Sequence, residues 1–222
     1  MKKKSSIDEL LAIMARLRAP NGCPWDREQT HMSIRFHAVE EVYELLDAIE
    51  AGDDLEMEEE LGDMLLQVVF HCQMAKERGA FDFEKACRHI SDKLIRRHPH
   101  VFGKAKVRSV DAVWDQWEKI KRAEKAGTRR ERFSAFDGIP RHLPALLRTK
   151  ELMKKARKAG LCDSPSKRSR GSNKREVAKQ LFSLAEYAQS RGWSAEELLR
   201  AENKRQERIL RRREKAASRR TE

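Results

Sequence analysis

Residues 58–72 read EEELGDMLLQVVFHC, a stretch with the composition of a buried helix that nevertheless carries Glu60 and Asp63 one turn apart. Met64, Leu65, Val68, Val69 and Cys72 make a broad apolar face, and Leu66 and Phe70 add apolar surface on the other side, close to Asp63. A helix apolar on most sides is expected to be covered on most sides. Ionised carboxylates withdrawn from water are costly unless they are paired or bound to a metal. Either this end of the helix stays hydrated, or a cation arrives to meet it.

The stretch just upstream, RFHAVEEVYELLDAIE (35–50), supplies a second acidic pair, Glu41 and Glu44. Residues three apart share a helix face, and at roughly 100° per residue both border the stripe Ala38, Val42, Leu45 and Ile49. The periodicity predicts helices over 30–51 and 54–78, hinged at AGDD (51–54) and packed antiparallel. Four carboxylates brought together repel one another. They suit Mg²⁺ or Mn²⁺, hard cations that prefer oxygen ligands. The alternative is a pair of solvated acidic faces near helix starts.

Working outward, nearly every periodic stretch has helical spacing and no run alternates with period 2, so the expected class is all-α. Ser6 and Glu9 have capping-box spacing at the head of a first helix. The stretch 19–31, with Pro20, Gly22 and Pro24, reads as a loop. Asp82 is placed to cap a helix over FEKACRHISDKLIRR (83–97), stopped by HPHVFG, and Ser109 to cap VDAVWDQWEKIKRAEKA (110–126). Further helices are expected over 143–159, 174–191 and 195–215. These readings divide the chain into a domain over 1–127, a connector and helix over 128–160, a basic flexible linker over 161–173, and a truncated half with a basic tail over 174–222.

Of the 222 residues, 39% are hydrophobic and 38% charged, enough for a core beneath a heavily charged surface. Cys23, Cys72, Cys87 and Cys162 have no metal-ligand spacing, no stretch approaches a membrane span, and the N-terminus lacks the pattern of a secretory signal, so the expectation is a cytoplasmic protein without membrane contact. The net charge of +12 is unevenly spread. Residues 1–127 hold 21 Lys and Arg against 24 Asp and Glu, a net of −3, while 128–222 hold 27 against 12, a net of +15. Nucleic-acid binding, if any, belongs to that C-terminal part and has few aromatics to support base stacking.

Cationic candidates for an anionic substrate lie downstream of the carboxylates. Lys93 and Arg97 share one helical face, and Trp117 and Lys121 share another, suited to a base and a phosphate. A faint repeat sets ELGDMLLQVVFHCQ (60–73) against EVAKQLFSLAEYAQ (176–189). Glu176 stands where Glu60 does, but Lys179 replaces Asp63, so the second copy is not expected to hold a cation.

The ordered set Glu40-Glu41-Val42-Tyr43-Glu44, Glu60-Leu61-Gly62-Asp63, GCPWDREQTH and KLIRRHPHVFG resembles the MazG family of all-α nucleoside triphosphate pyrophosphohydrolases. The resemblance implies hydrolysis of a nucleoside triphosphate to the monophosphate and diphosphate with Mg²⁺, for which Mn²⁺ could substitute. It implies a helical bundle completed by homodimerisation, metal held by Glu41, Glu44, Glu60 and Asp63, and nucleotide contacts from Lys93, Arg97, Trp117 and Lys121. Glu40 is a candidate proton acceptor. The long type of this family carries two such domains, and here the second lacks its EExxE helix. A helical scaffold without catalysis is the competing expectation.

Overall fold

The computed structural model describes residues 5–129, 131–162 and 173–219, and among these every regular element is helical. The helices are α1 (Ser6–Leu17), α2 (Pro24–Glu28), α3 (His37–Ala51), α4 (Asp54–Glu77), α5 (Phe83–Arg97), α6 (Pro99–Phe102), α7 (Val110–Ala123), α8 (Ala145–Lys158), α9 (Lys174–Ser190) and α10 (Ala195–Ser218). No described helix is long and apolar enough to cross a membrane. All four cysteines are free thiols. The chain divides into two compact units, 1–113 and 114–222. Most of the expected linker, residues 163–172, lies outside the described residues.

The first unit is built on the α3–α4 hairpin. Gly52 ends α3 with φ 69°, a left-handed conformation that a side chain disfavours. Asp53 then caps α4, its carboxylate accepting from the amides of Leu55 and Glu56 at 3.0 and 3.1 Å. α1 packs on α4 around Met14, Ile34, Val69, Phe70 and Met74. Burying a side chain such as Phe70 stabilises by about 1.5–3 kcal/mol. Arg18, just past α1, forks onto Glu77 at the end of α4 at 2.7–3.0 Å and also donates to the Asp26 carbonyl. That bond to Arg18 holds the Glu77 carboxyl below its usual range.

Several expectations shift in detail. The cap of α1 is Ser5, bonded to the Asp8 amide, one residue before the expected Ser6. α3 begins at His37 rather than 30, because Thr30 and Ser33 spend their hydroxyls on each other's backbone and on Gln29, holding 30–36 in turns. Pro24, pre-set in φ, starts a one-turn helix inside the expected loop, and Pro99 does the same inside the expected helix stop. Asp82 and Ser109 cap their helices as read, through the amides of Lys85 and Ala112.

The second unit packs α8 against α10 around Phe136, Ile139, Leu152, Ala156 and Leu210. Two buried polar residues tie it together. Arg148 donates to the Pro140 carbonyl at 2.6 Å and to Glu207 at 2.5 Å. Asn203 donates to the Ala145 carbonyl at 2.9 Å and accepts from the Thr149 hydroxyl at 2.8 Å. Each is satisfied, which is the condition for burial.

Candidate metal centre

The hairpin brings together carboxylates that lie 19 and 22 residues apart in the sequence, on consecutive helices. Glu41 of α3 and Glu60 and Asp63 of α4 each offer an oxygen, and these three oxygens lie within 4.8 Å of one another. All three residues are half-buried at the edge of the hairpin. Glu44, one turn beyond Glu41, is exposed, yet its charge is the strongest of those acting on Glu60.

The electrostatics are those of an uncompensated acidic cluster. Desolvation first, then the charges of Glu44, Asp63 and Glu41, push the Glu60 carboxyl above its ordinary value. The Glu41 carboxyl is raised for the same reasons, with a bond from Gln67 acting in the opposite direction. Oε2 of Glu60 is buried without a hydrogen-bond partner among the described residues. A buried carboxylate oxygen in that state, within reach of two further carboxylates, suits a hard divalent cation.

Sequence reasoning missed two residues here. Gln67 donates to Glu41 at 3.1 Å, orienting that carboxylate, while its own buried carbonyl oxygen has no described partner. The available signal was a lone polar residue one turn after Asp63 within an apolar run. His37 lies 3.0 Å from Glu40, and both side chains reach solvent.

The remaining candidates are distributed by helix. Lys93 and Arg97 are half-buried on α5, in the same unit as the carboxylates. Trp117 and Lys121 belong to the second unit. There the Lys121 ammonium sits 5.2 Å from the Trp117 ring centre and 2.7 Å from Glu118.

Comparison with known proteins bears on the same residues. Residues 29–102 match the MazG nucleotide pyrophosphohydrolase domain, a span that holds all four carboxylates together with Lys93 and Arg97 and excludes Trp117 and Lys121. The chain belongs to the MazG family. It is 50% identical over 157 residues to a nucleoside triphosphate pyrophosphohydrolase of Escherichia coli, covering 70% of this chain and 59% of that one. A nucleoside triphosphate pyrophosphohydrolase/pyrophosphatase MazG of Thermotoga maritima is 46% identical over 153 residues, 69% of this chain and 57% of its own. This MazG chain therefore spans less than two thirds of the length of those two relatives. It covers 76% of an uncharacterised 26.1 kDa protein of Streptomyces cacaoi, to which it is 38% identical over 195 residues.

Proposed function

We propose that the protein hydrolyses a nucleoside triphosphate to the monophosphate and diphosphate, using a divalent cation, Mg²⁺ for preference, held by Glu41, Glu60 and Asp63 with Glu44 completing the set. The observation that carries this reading is the cluster of three carboxylate oxygens within 4.8 Å that includes an unpartnered buried oxygen of Glu60. The names of the relatives support the reaction class.

When bound, the cation supplies Lewis acidity and positive charge at the phosphates. Gln67 keeps Glu41 turned toward the other carboxylates. Glu40, on the solvent side and bonded to His37, receives the proton of the attacking water at a carboxylate oxygen. Lys93 and Arg97 hold the phosphate chain and stabilise charge moving onto the leaving diphosphate. On the resemblance to the family, Trp117 and Lys121 are proposed to contact the nucleotide.

In this reading residues 1–127 are the catalytic domain and 174–222 a degenerate second half. The site is completed by a second copy of the chain. Val42, Leu46 and Ile49 on α3 and Leu61, Leu65 and Val68 on α4 are 38–52% exposed, more apolar surface than a hairpin keeps in water without a partner. A role in cleansing the nucleotide pool follows from the reaction class.

The test is product analysis with each nucleoside triphosphate and Mg²⁺, beside an EDTA control. Monophosphate and diphosphate should form, stop with EDTA, and be lost in a folded Glu41→Ala variant. An active Glu41→Ala enzyme would sink the metal assignment.

A further inference from the structure

The second unit contains a cavity of about 630 Å³, within the usual range for small-ligand sites. Its walls come from the end of α7, the 131–137 segment, the end of α8, and Glu214 of α10. None of the carboxylates of the candidate metal centre takes part. Six cations line it: Lys121, Arg122, Lys125, Arg132, Lys155 and Lys158.

The four acids of the lining are already engaged. Glu118 pairs with Lys121 at 2.7 Å, and Asp137 pairs with Arg211 at 2.8 Å. Glu131 accepts from the Gly127 amide at 3.1 Å. Glu214 accepts from the Ser134 hydroxyl and the Ala135 amide at 2.5 and 2.7 Å. Of the cations, Lys121 is thereby tied to Glu118. Lys155 is half-buried and donates hydrogen bonds to two carbonyls, those of Ala135 and Asp137, at 2.9 and 3.0 Å. Its pKa is lowered by burial first and then by the charge of Arg132, with Lys121 adding to the effect and Glu118 opposing it. The Arg132 guanidinium lies against the face of Gly138, in space that any side chain there would fill. Like charges gathered around one cavity raise its affinity for an anion.

Phe133 stands in the same lining and is 87% exposed. An exposed ring beside a cationic cavity is the arrangement that stacks a base while the charges hold phosphates.

We propose that this cavity binds a polyphosphate group, either free diphosphate or the phosphate chain of a nucleotide, without a divalent cation. Its acids are spent on the protein's own donors, so the cations meet the phosphates directly. Arg132 and Lys158 provide the contacts, with Lys155 fixing the wall between them. The lining contains none of the metal-centre carboxylates, so binding here does not depend on them.

The experiment is isothermal titration of the full chain in EDTA with inorganic diphosphate and then with ATP, at constant ionic strength. The Arg132→Glu/Lys158→Glu double variant should bind either probe about tenfold or more weakly. A charge-matched control, Lys174→Glu/Arg175→Glu on α9 outside the lining, should bind as the wild type does. All four positions are exposed, and circular dichroism verifies folding. Glu60→Gln should leave this binding intact, so failure of the metal assignment and failure of this one read out separately. Phe133→Ala weakening ATP but not diphosphate identifies a nucleotide as the occupant, and an equal effect on both identifies free diphosphate. No binding of either probe in EDTA, or equal loss in the α9 control, overturns the proposal.

Discussion

α4 and α9 carry the two copies of the faint sequence repeat, and they differ where the chemistry would be. Glu60 and Glu176 occupy matching places, but their surroundings do not match. Glu60 faces Glu41 and Asp63 and keeps an unpartnered buried oxygen. Glu176 is exposed and accepts from Gln180 of its own helix at 3.1 Å, with Lys179 where α4 has Asp63. The apolar positions diverge as well: Leu66 is half-buried, whereas Phe182 in the matching place is 71% exposed, and Phe70, 4% exposed, has Glu186 in its matching place. A carboxylate on a helix becomes part of a cluster only when a second helix brings others to meet it. α3 does so for α4, and residues 128–173, ahead of α9, contain no EExxE sequence.

Writing the α9 pattern into α4 should have the largest effect. Asp63→Lys places an ammonium among the remaining carboxylates and is expected to lower activity by about 10³-fold or more. Titration with Mn²⁺ should show the metal affinity lost as well. The reciprocal Lys179→Asp should gain no metal binding, because among the described residues no acidic cluster meets α9. A gain there would show that a single ExxD suffices and would break the comparison.

Stability offers the next contrast. Phe70→Ala empties a packed position and is expected to cost about 3–5 kcal/mol in urea denaturation. Phe182→Ala removes an exposed ring and should stay within about 0.5 kcal/mol. A large loss at Phe182 would mean that α9 is covered in solution. Matching positions also sharpen the proposed assembly. Val68 on α4 and Leu184 on α9 are 49% and 67% exposed. Val68→Glu should weaken a dimer by about tenfold or more in light scattering, since it buries a charge against an apolar partner. Leu184→Glu should leave the dimer intact. The opposite pair of results would move the interface to the second unit.

How much of this was readable beforehand depends on the range of the interactions. α4, α5 and α9 were legible because their caps and apolar spacing are local: Asp53, Asp82 and Asn173 each bind amides two or three residues on. Residues 30–36 were misread because apolar spacing there competes with hydroxyl bonds that only the folded backbone displays. The acidic pairs were visible as pairs, since each is a one-turn spacing. The bond from Gln67 to Glu41 spans 26 residues, and those from Arg148 and Asn203 to partners in the same unit span 59 and 58. Such ties leave no periodic trace. The histidine pair of the first unit belongs to the same class.

His31 and His71, 40 residues apart, meet Nδ1 to Nδ1 at 2.8 Å with their rings stacked 5.1 Å apart. One nitrogen must donate and the other accept, so both rings cannot be charged at once. Burial first, and then the charge of His31, lowers the His71 pKa below 6.5. The unfolded chain therefore takes up this proton at a higher pH than the folded one. The contribution is fully present above pH 6.5 and declines as pH falls from there through the folded value. α9 has Tyr187 at the position of His71 and no such term. The urea midpoint of the wild type should fall between pH 7 and pH 5.5 relative to that of His71→Phe, which keeps a ring but cannot take up a proton. This is the smallest of the expected effects, and only the difference between the two proteins isolates it from the carboxylates that titrate in the same direction of pH. Parallel profiles would mean that the pair opens before it is protonated and contributes nothing to the stability of the first unit.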